Sequence, residues 1–385
     1  MKLIFFISFI AGWFYGTTFA VSKTHENEKT KISIFMASDN DLYPYAKKDL
    51  KEISNYFLSN ENNLILKLGF DRPKKSYITT NTSMDHLKLK VIQREESIKD
   101  RLLNVLDDYQ DYLILWGHGE GYLGETTKEV TGGILFEGAG ENPLRITELK
   151  SILQQKKVDT LIFDSCLMQT VEVITELMNK ARTIIGSAQT QDYFGLNYNN
   201  VFTLINNKDP HTSNYDFTKT LAKTIAASYT NNHFTISAIN THEFKYQVLP
   251  ALKKLLKVLD NYFDQNPFHR FLLKQFIDEA PKYYGDRMDV GELLSVIEYF
   301  LRDQQIRSIK INRAIEGLRQ AFRQSLIKAT FGEEIFQDYA RESFYGVSIW
   351  IPKYEQTYRL RKDEMNNSEL YKQLLPQKLE TIFGF

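Results

Sequence analysis

Only one of the 385 residues is cysteine, Cys166. A chain with a single thiol closes no intrachain disulfide and builds no thiolate zinc cluster, so neither device holds this fold. Net charge is missing as well: 48 Lys and Arg balance 48 Asp and Glu. No global field therefore draws the chain to nucleic acid or to an anionic membrane, and any charge selectivity must be local. Beyond the N-terminus no apolar run approaches the ~20 residues needed to cross a bilayer. Metal-ligand spacing of histidines is also absent, since His25 lies in a polar leader, His86 and His242 are isolated, and His211 and His233 sit in polar segments. The chain shows no internal repeat and no low-complexity tract.

What is present is a composition of 43% apolar residues, enough to bury a core in two domains or in one large domain with an appendage. Lys2 is followed by the apolar stretch Leu3 to Tyr15 and then by the small residues Gly16, Thr17, Thr18 and Ala20. That order is the order of a secretory signal peptide over residues 1–20, cleaved after Ala20, and it predicts an exported protein, secreted or periplasmic. An uncleaved anchor helix is the alternative, and the run is short for it. Residues 21–30 read as a flexible leader.

The element pattern then alternates. Strands are expected at Ile32 to Met36, Leu64 to Gly69, Tyr112 to Trp116, Thr160 to Phe163, Thr183 to Gly186 and Phe234 to Ile239, with a hairpin of Ser76 to Thr80 and His86 to Ile92 and a short strand at Gly133 to Phe136. Helical spacing covers Pro44 to Leu58, Ser97 to Leu106, Thr147 to Gln155 and a helix beginning just after Leu167. Strands that lack surface alternation and are separated by helices predict an α/β fold, a mainly parallel sheet covered on both faces. A soft boundary falls near Thr241, beyond which amphipathic helices dominate, with one further strand at Tyr345 to Ile351. Phe268, Phe271, Leu272 and Phe276 at helical spacing read as core, not as a membrane face.

In a parallel sheet, ligands gather at the carboxyl ends of the strands. Two of the most apolar strands end there in Gly117-His118-Gly119 and Asp164-Ser165-Cys166. A thiol near neutral pH is only a few per cent ionised and needs an imidazole or a helix N-terminus to become a competent nucleophile. Cys166 has His118 across the sheet and the helix that follows it. A lone thiol can equally be an inert core residue; its place at a strand end beside a glycine-flanked histidine is what favours nucleophilic chemistry. The amides of Gly119 and Cys166 would form an oxyanion hole. If the chain stays extended, Asp164 and Cys166 point to the same side.

Met36-Ala37-Ser38-Asp39-Asn40-Asp41-Leu42, Leu115-Trp116-Gly117-His118-Gly119 and Phe163-Asp164-Ser165-Cys166-Leu167-Met168 together resemble the clostripain-like cysteine peptidases, relatives of caspases, legumains and gingipains. Weaker matches at Ile236 to Ile239 and Tyr345 to Pro352 keep the same order. The resemblance implies a caspase-like catalytic domain over residues 31–240, a mainly helical region over 241–385, and a Cys/His dyad of Cys166 and His118. It also implies cleavage after Arg or Lys, with Asp164 as the acid at the base of the pocket. The less specific role for Asp164 is to bond a local amide or cap the following helix. The segment Ser187-Ala188-Gln189-Thr190-Gln191-Asp192 lacks the family's early acid, and Asp192 is the candidate replacement, although Asp is common in such loops for turn reasons alone.

Several members of that family mature by cutting themselves between the dyad residues, and Lys128 is the only basic residue between Glu120 and Thr131, which makes it a candidate self-cleavage point. No cofactor is expected. Calcium is the one candidate, through the hard oxygens of Asp39-Asn40-Asp41, and a turn with a helix cap is the competing use of that cluster. Expected partners are peptide or protein substrates, with no nucleic acid and no membrane after signal cleavage, and a monomer is the default state. Two other functions fit the same scaffold: a catalytically inactive binding protein, or a cysteine acyltransferase or amidase.

Overall fold

The structure is a computed structural model and describes residues 29–59, 63–72, 75–81, 89–92, 97–123, 132–136, 143–229, 234–332 and 344–374. The signal peptide and most of the leader, residues 1–28, lie outside the described residues, as does Lys128.

The chain opens with β1 (Thr30–Met36), α1 (Tyr43–Ser59), β2 (Leu64–Arg72), β3 (Lys75–Asn81), β4 (Leu89–Ile92), α2 (Ile98–Val105) and β5 (Tyr109–Trp116). It continues with α3 (Ile146–Gln155), β6 (Lys157–Asp164), α4 (Val171–Leu177), β7 (Ala181–Gly186), α5 (Tyr198–Asn206), α6 (Asn214–Ala226) and β8 (Thr235–Asn240). A helix then runs from α7 (Thr241–Glu243) through a π turn at Phe244–Val248 into α8 (Leu249–Gln265). After it come α9 (Pro267–Glu279), β9 (Arg287–Asp289), α10 (Val290–Asp303), α11 (Ile309–Ser325), β10 (Leu326–Phe331), β11 (Ser348–Trp350), α12 (Glu355–Asn367) and α13 (Glu369–Leu374).

Nine strands form one sheet in the order β10-β8-β7-β6-β5-β1-β2-β3-β4. The five central strands, β2, β1, β5, β6 and β7, are mutually parallel, and antiparallel strands finish both edges. Parity along the strands explains why the central ones read as continuous apolar runs. Ile32, Ile34, Met36, Tyr112, Ile114, Trp116 and Ile162 face α1, α5 and α6, whereas Phe35, Leu113, Leu115, Leu161 and Phe163 face α2 and α3. Both faces are covered, so both parities are mainly apolar, and the few polar residues such as Ser33 and Thr160 are buried with them.

Two strands lie inside the stretch read as helical. Three-residue β9 is too short to carry a period, and β10 follows α11 without a break. Only Ile327 of β10 is fully buried, because this is an edge strand and its apolar residues do not alternate cleanly. It pairs antiparallel with β8, so the C-terminal region contributes a strand to the main sheet. The segment Gly133 to Phe136 is not a strand but a pair of single bridges, Ile134 to Gly119 and Ile134 to Leu144. A third core joins Val171, Ile174 and Ile239 to Leu252, Leu259, Phe300, Phe322 and Trp350. Phe276 and Leu272 pack against it, while Phe268 and Phe271 are exposed. No helix among the described residues is long and apolar enough to cross a membrane.

Candidate active site

Adjacent parallel strands β5 and β6 are in register, with Trp116 opposite Asp164. His118 and Cys166 are each two residues beyond that pair, so the register itself delivers both side chains to one edge of the sheet. They line a single cleft together with Leu42, Trp116, Asp164, Gln191 and Asp192. Gly117 N–H donates to Asp164 O at 3.2 Å, and Ser165 Oγ donates to Leu115 O at 3.3 Å, which ties the two strand ends to each other.

His118 Nε2 lies 2.8 Å from Asp41 Oδ1. Asp41 belongs to the acidic turn after β1, and its neighbour Asn40 is spent on that turn: it bonds Ala37 O, Phe136 O and the Leu42 N–H. The cluster proposed for calcium is thus used locally. No group of three His, Cys, Asp or Glu suited to a metal occurs among the described residues.

Cys166 Sγ accepts the Gln191 N–H at 3.2 Å. Burial pushes the thiol above its ordinary value, and the charges of Glu120 and Asp164 add to that, against the Gln191 amide. The helix expected just after Leu167 starts later, at Val171, with Thr170 capping it through the Val173 N–H. Between them Leu167 takes a left-handed φ of 60° and the chain turns onto Gln189 O. The helix terminus is therefore not beside the sulfur, and the imidazole remains as the base that the cleft offers.

Gly119 is pressed against the Cys166 carbonyl, which any Cβ at this position would overlap. Its bridge to Ile134 is closed by Leu135 N–H to His118 O and Glu120 N–H to Gly133 O. That pattern leaves the Gly119 N–H outside the bridge to Ile134.

Asp164 is buried at the floor of the cleft. Its Oδ2 accepts Leu196 N–H at 3.3 Å and Tyr198 OH at 3.1 Å, and its Oδ1 accepts Tyr229 OH at 3.3 Å. Burial raises its pKa to about 6 against the pull of those three donors. It does not cap α4. Asp192 lines the cleft wall and serves its own turn, its carbonyl accepting Gly195 N–H and its carboxylate Phe194 N–H at 3.4 Å.

Beneath Asp164 lies an acid that motif reading did not single out, Asp49 of α1. It is 1% exposed and accepts Trp116 Nε1–H at 2.9 Å. Burial, then the charge of Asp164, raises it to about 8. A signal for it exists in the sequence. Ala46, Asp49, Ile53 and Phe57 follow one another at helical spacing on the buried side of α1, and a carboxylate within an apolar stripe has to be accounted for.

These observations can be set beside known proteins. The structure is similar to a secreted C11 cysteine protease from Bacteroides thetaiotaomicron solved with an irreversible peptide inhibitor, at 19% identity, TM-score 0.64, over 90% of this chain and 99% of that one. It is similar to an inactive zymogen C11 protease from Parabacteroides distasonis at 17% identity and TM-score 0.63, over 90% and 98% of the two chains. A second structure of a secreted C11 protease from Bacteroides thetaiotaomicron, iotapain, matches at 12% identity and TM-score 0.64, over 90% and 99%. At such identities these likenesses establish the fold. Among curated proteins none matches the chain in sequence. The model of the clostripain family, by contrast, matches residues 34–380, a span that includes both strand ends at the cleft. The chain belongs to the clostripain family of cysteine peptidases.

Proposed function

We propose that this peptidase uses Cys166 as its nucleophile and His118 as its acid/base, cleaves peptides and proteins after Arg or Lys, and acts after export. The observation that carries the reading is the β5/β6 register, which brings a thiol and an imidazole to one cleft that a buried carboxylate also lines. The N-terminal segment of signal-peptide character supports export, as does the description of similar structures as secreted proteases.

The chemistry follows from the environment of each group. Because burial raises the thiol, it rests protonated and must be deprotonated during attack. A neutral imidazole that donates Nε2–H to Asp41 presents Nδ1 as its acceptor. His118 takes the thiol proton as sulfur attacks the scissile carbonyl, and the amides of Gly119 and Cys166 receive the oxyanion. As the C–N bond breaks, His118 returns the proton to the leaving amine. Water then attacks the thioester, with the imidazole again as base. A guanidinium or ammonium on the acyl side would reach down to Asp164, and Asp192 flanks its entry.

A panel of fluorogenic peptides with Arg, Lys, Asp, Asn or apolar residues at the acyl position tests the preference, and mass spectrometry of the adduct with an arginyl acyloxymethyl ketone tests the nucleophile. Turnover confined to Arg and Lys, with the adduct on Cys166, is the expected result. No turnover of any peptide would favour a binding protein or an acyltransferase on this scaffold. An adduct elsewhere in an active preparation would remove Cys166 from its role.

A further inference from the structure

The floor of the cleft contains two acids, not one. A Cβ added to Gly195, which stands at φ 61°, would lie 3.2 Å from Asp164 Oδ2, 3.3 Å from Asp49 Oδ2 and 3.4 Å from Trp116 Nε1. Both carboxyls and the indole nitrogen therefore close on the bare backbone of Gly195, too tightly for a side chain there to fit without displacing them. Asp164, Trp116 and Gly195 line the cleft, and Asp49, 1% exposed, stands behind them, so the pair backs the space where the substrate's acyl-side residue would enter.

Among the described residues, the groups around the pair supply no buried cation. From α1 come Lys48 and Glu52, from β5 Trp116, from β6 Asp164, from α5 Tyr198, and from the segment after α6 Tyr229. Lys48 places its ammonium over the exposed Phe194 ring, 4.5 Å from its centroid. Tyr198 and Tyr229 are both spent on Asp164. Two carboxyls this close, both removed from water and without a buried cation, do not both ionise readily. Burial and mutual repulsion favour one proton retained on the pair, chiefly at Asp49.

We propose that Asp49 is a specificity-determining residue of the same pocket, and that the Asp49/Asp164 pair exchanges a shared proton for the cationic head of the substrate's Arg or Lys. This rests on the basic-residue preference proposed above. In the free enzyme the pair carries one negative charge. On binding, the proton leaves to solvent, the side chain stays protonated, and two carboxylates face one cation. A neutral side chain of the same shape cannot displace the proton and gains nothing from the second acid. Acid and a basic substrate therefore compete for the pair, each favouring one of its two charge states.

The test compares peptides with Arg and with citrulline at the acyl position, which have nearly the same shape and differ in charge. Titration of Cys166 and His118 affects both substrates and cancels in the ratio of their kcat/KM values. In the wild type this ratio is expected to rise from pH 5.5 to pH 8.5. In Asp49→Asn, whose side-chain oxygen can still accept the Trp116 N–H, the ratio at pH 8.5 is expected to fall about tenfold, the scale of a close buried charge pair. The loss should fall on KM more than on kcat, and the rise with pH should shrink. A wild type that does not prefer Arg over citrulline at any pH would overturn the basic-residue reading and this inference with it. A wild type that prefers Arg with a ratio flat in pH would overturn the shared proton alone, whether or not the variant folds. A folded Asp49→Asn with unchanged ratio and unchanged pH dependence would reduce Asp49 to a structural partner of Trp116.

Discussion

His118 and Cys166 stand past the ends of their strands, and the sheet core is complete at Trp116 and Asp164. Truncating either side chain would therefore remove the proposed chemistry while leaving the sheet core in place. Cys166→Ala and His118→Ala are each expected to abolish peptide hydrolysis with no more than about 0.5 kcal/mol change in unfolding free energy. Near-normal turnover in either variant would refute the dyad. Asp164→Asn is expected to reduce the preference for Arg and Lys over neutral residues while Cys166 still reacts with a small alkylating agent, since a desolvated carboxylate facing a guanidinium is worth several times a surface pair. An equal loss on basic and neutral substrates would take Asp164 out of the pocket. Asp49 adds a stability effect with a definite sign. Its carboxyl ionises near 4 in the unfolded chain but holds its proton to about 8 in the folded one, so the folded state binds more protons between those values. Stability contributed by this group is then full below pH 4 and lost as pH rises toward 8. Asp49→Asn has nothing to titrate, so its melting temperature is expected to gain on the wild type steadily from pH 5 to pH 8. The scale is about 1.4 kcal/mol per pKa unit. A difference constant in pH would show that Asp49 is ionised throughout.

At the scale of elements, the segment carrying Cys166 depends on a strand far away in sequence. Ser348 N–H of β11 donates to Gln169 O at 3.1 Å, and Gln169 N–H donates to Ser187 O at 2.9 Å. This places the turn after the thiol between β11 and the loop that follows β7. The position of β11 is in turn set by Asp289. Its carboxylate accepts Gly291 N–H at 2.8 Å as the cap of α10, Tyr345 N–H at 3.1 Å and Gly346 N–H at 2.8 Å. Burial raises its pKa to about 7 even so. Asp289→Ala would orphan several buried donors at once, each costing about 1 to 3 kcal/mol. It is expected to lower the urea midpoint clearly and to reduce turnover by loosening the turn at Gln169. Unchanged stability would mean that these amides find other partners.

The whole molecule is held together across the boundary that composition suggests near Thr241. β10 closes the sheet against β8, and one core spans α4, β8 and the C-terminal helices. A fragment ending at residue 240 would expose the edge of β8 and half of that core. It is expected to lack a near-UV circular dichroism signal and a cooperative melt, and a fragment that melts sharply would define an independent domain. Maturation is tested at the same scale. If the enzyme cuts itself after Lys128, a denaturing gel of the wild type will show two chains with a new N-terminus at Glu129, and Cys166→Ala will remain intact. A single chain in an active preparation would sink the self-cleavage proposal.

The local chain dictated a good deal of this. Strand ends are legible because a doubly covered parallel strand is apolar at most positions of both parities, so the break at Gly117 and the break after Asp164 mark where each strand leaves the sheet. A thiol and an imidazole at two such breaks were enough to point to the site. The late start of the helix after Cys166 is not legible locally, because the left-handed turn at Leu167 has no marker such as glycine. β10 is not legible in the sequence because an edge strand is only partly buried and its residues carry too little period. The second acid was beyond motif reading for a different reason. Asp49 and Asp164 are separated by more than a hundred residues and meet only through the packing of α1 on the sheet, where both close on Gly195 of a third segment. Periodicity fixes which face a residue takes, which the sequence alone determines. Which residues of different elements then share a few ångströms, and so shift one another's charge, only the tertiary structure decides, because electrostatic coupling depends on distance and burial and not on order along the chain.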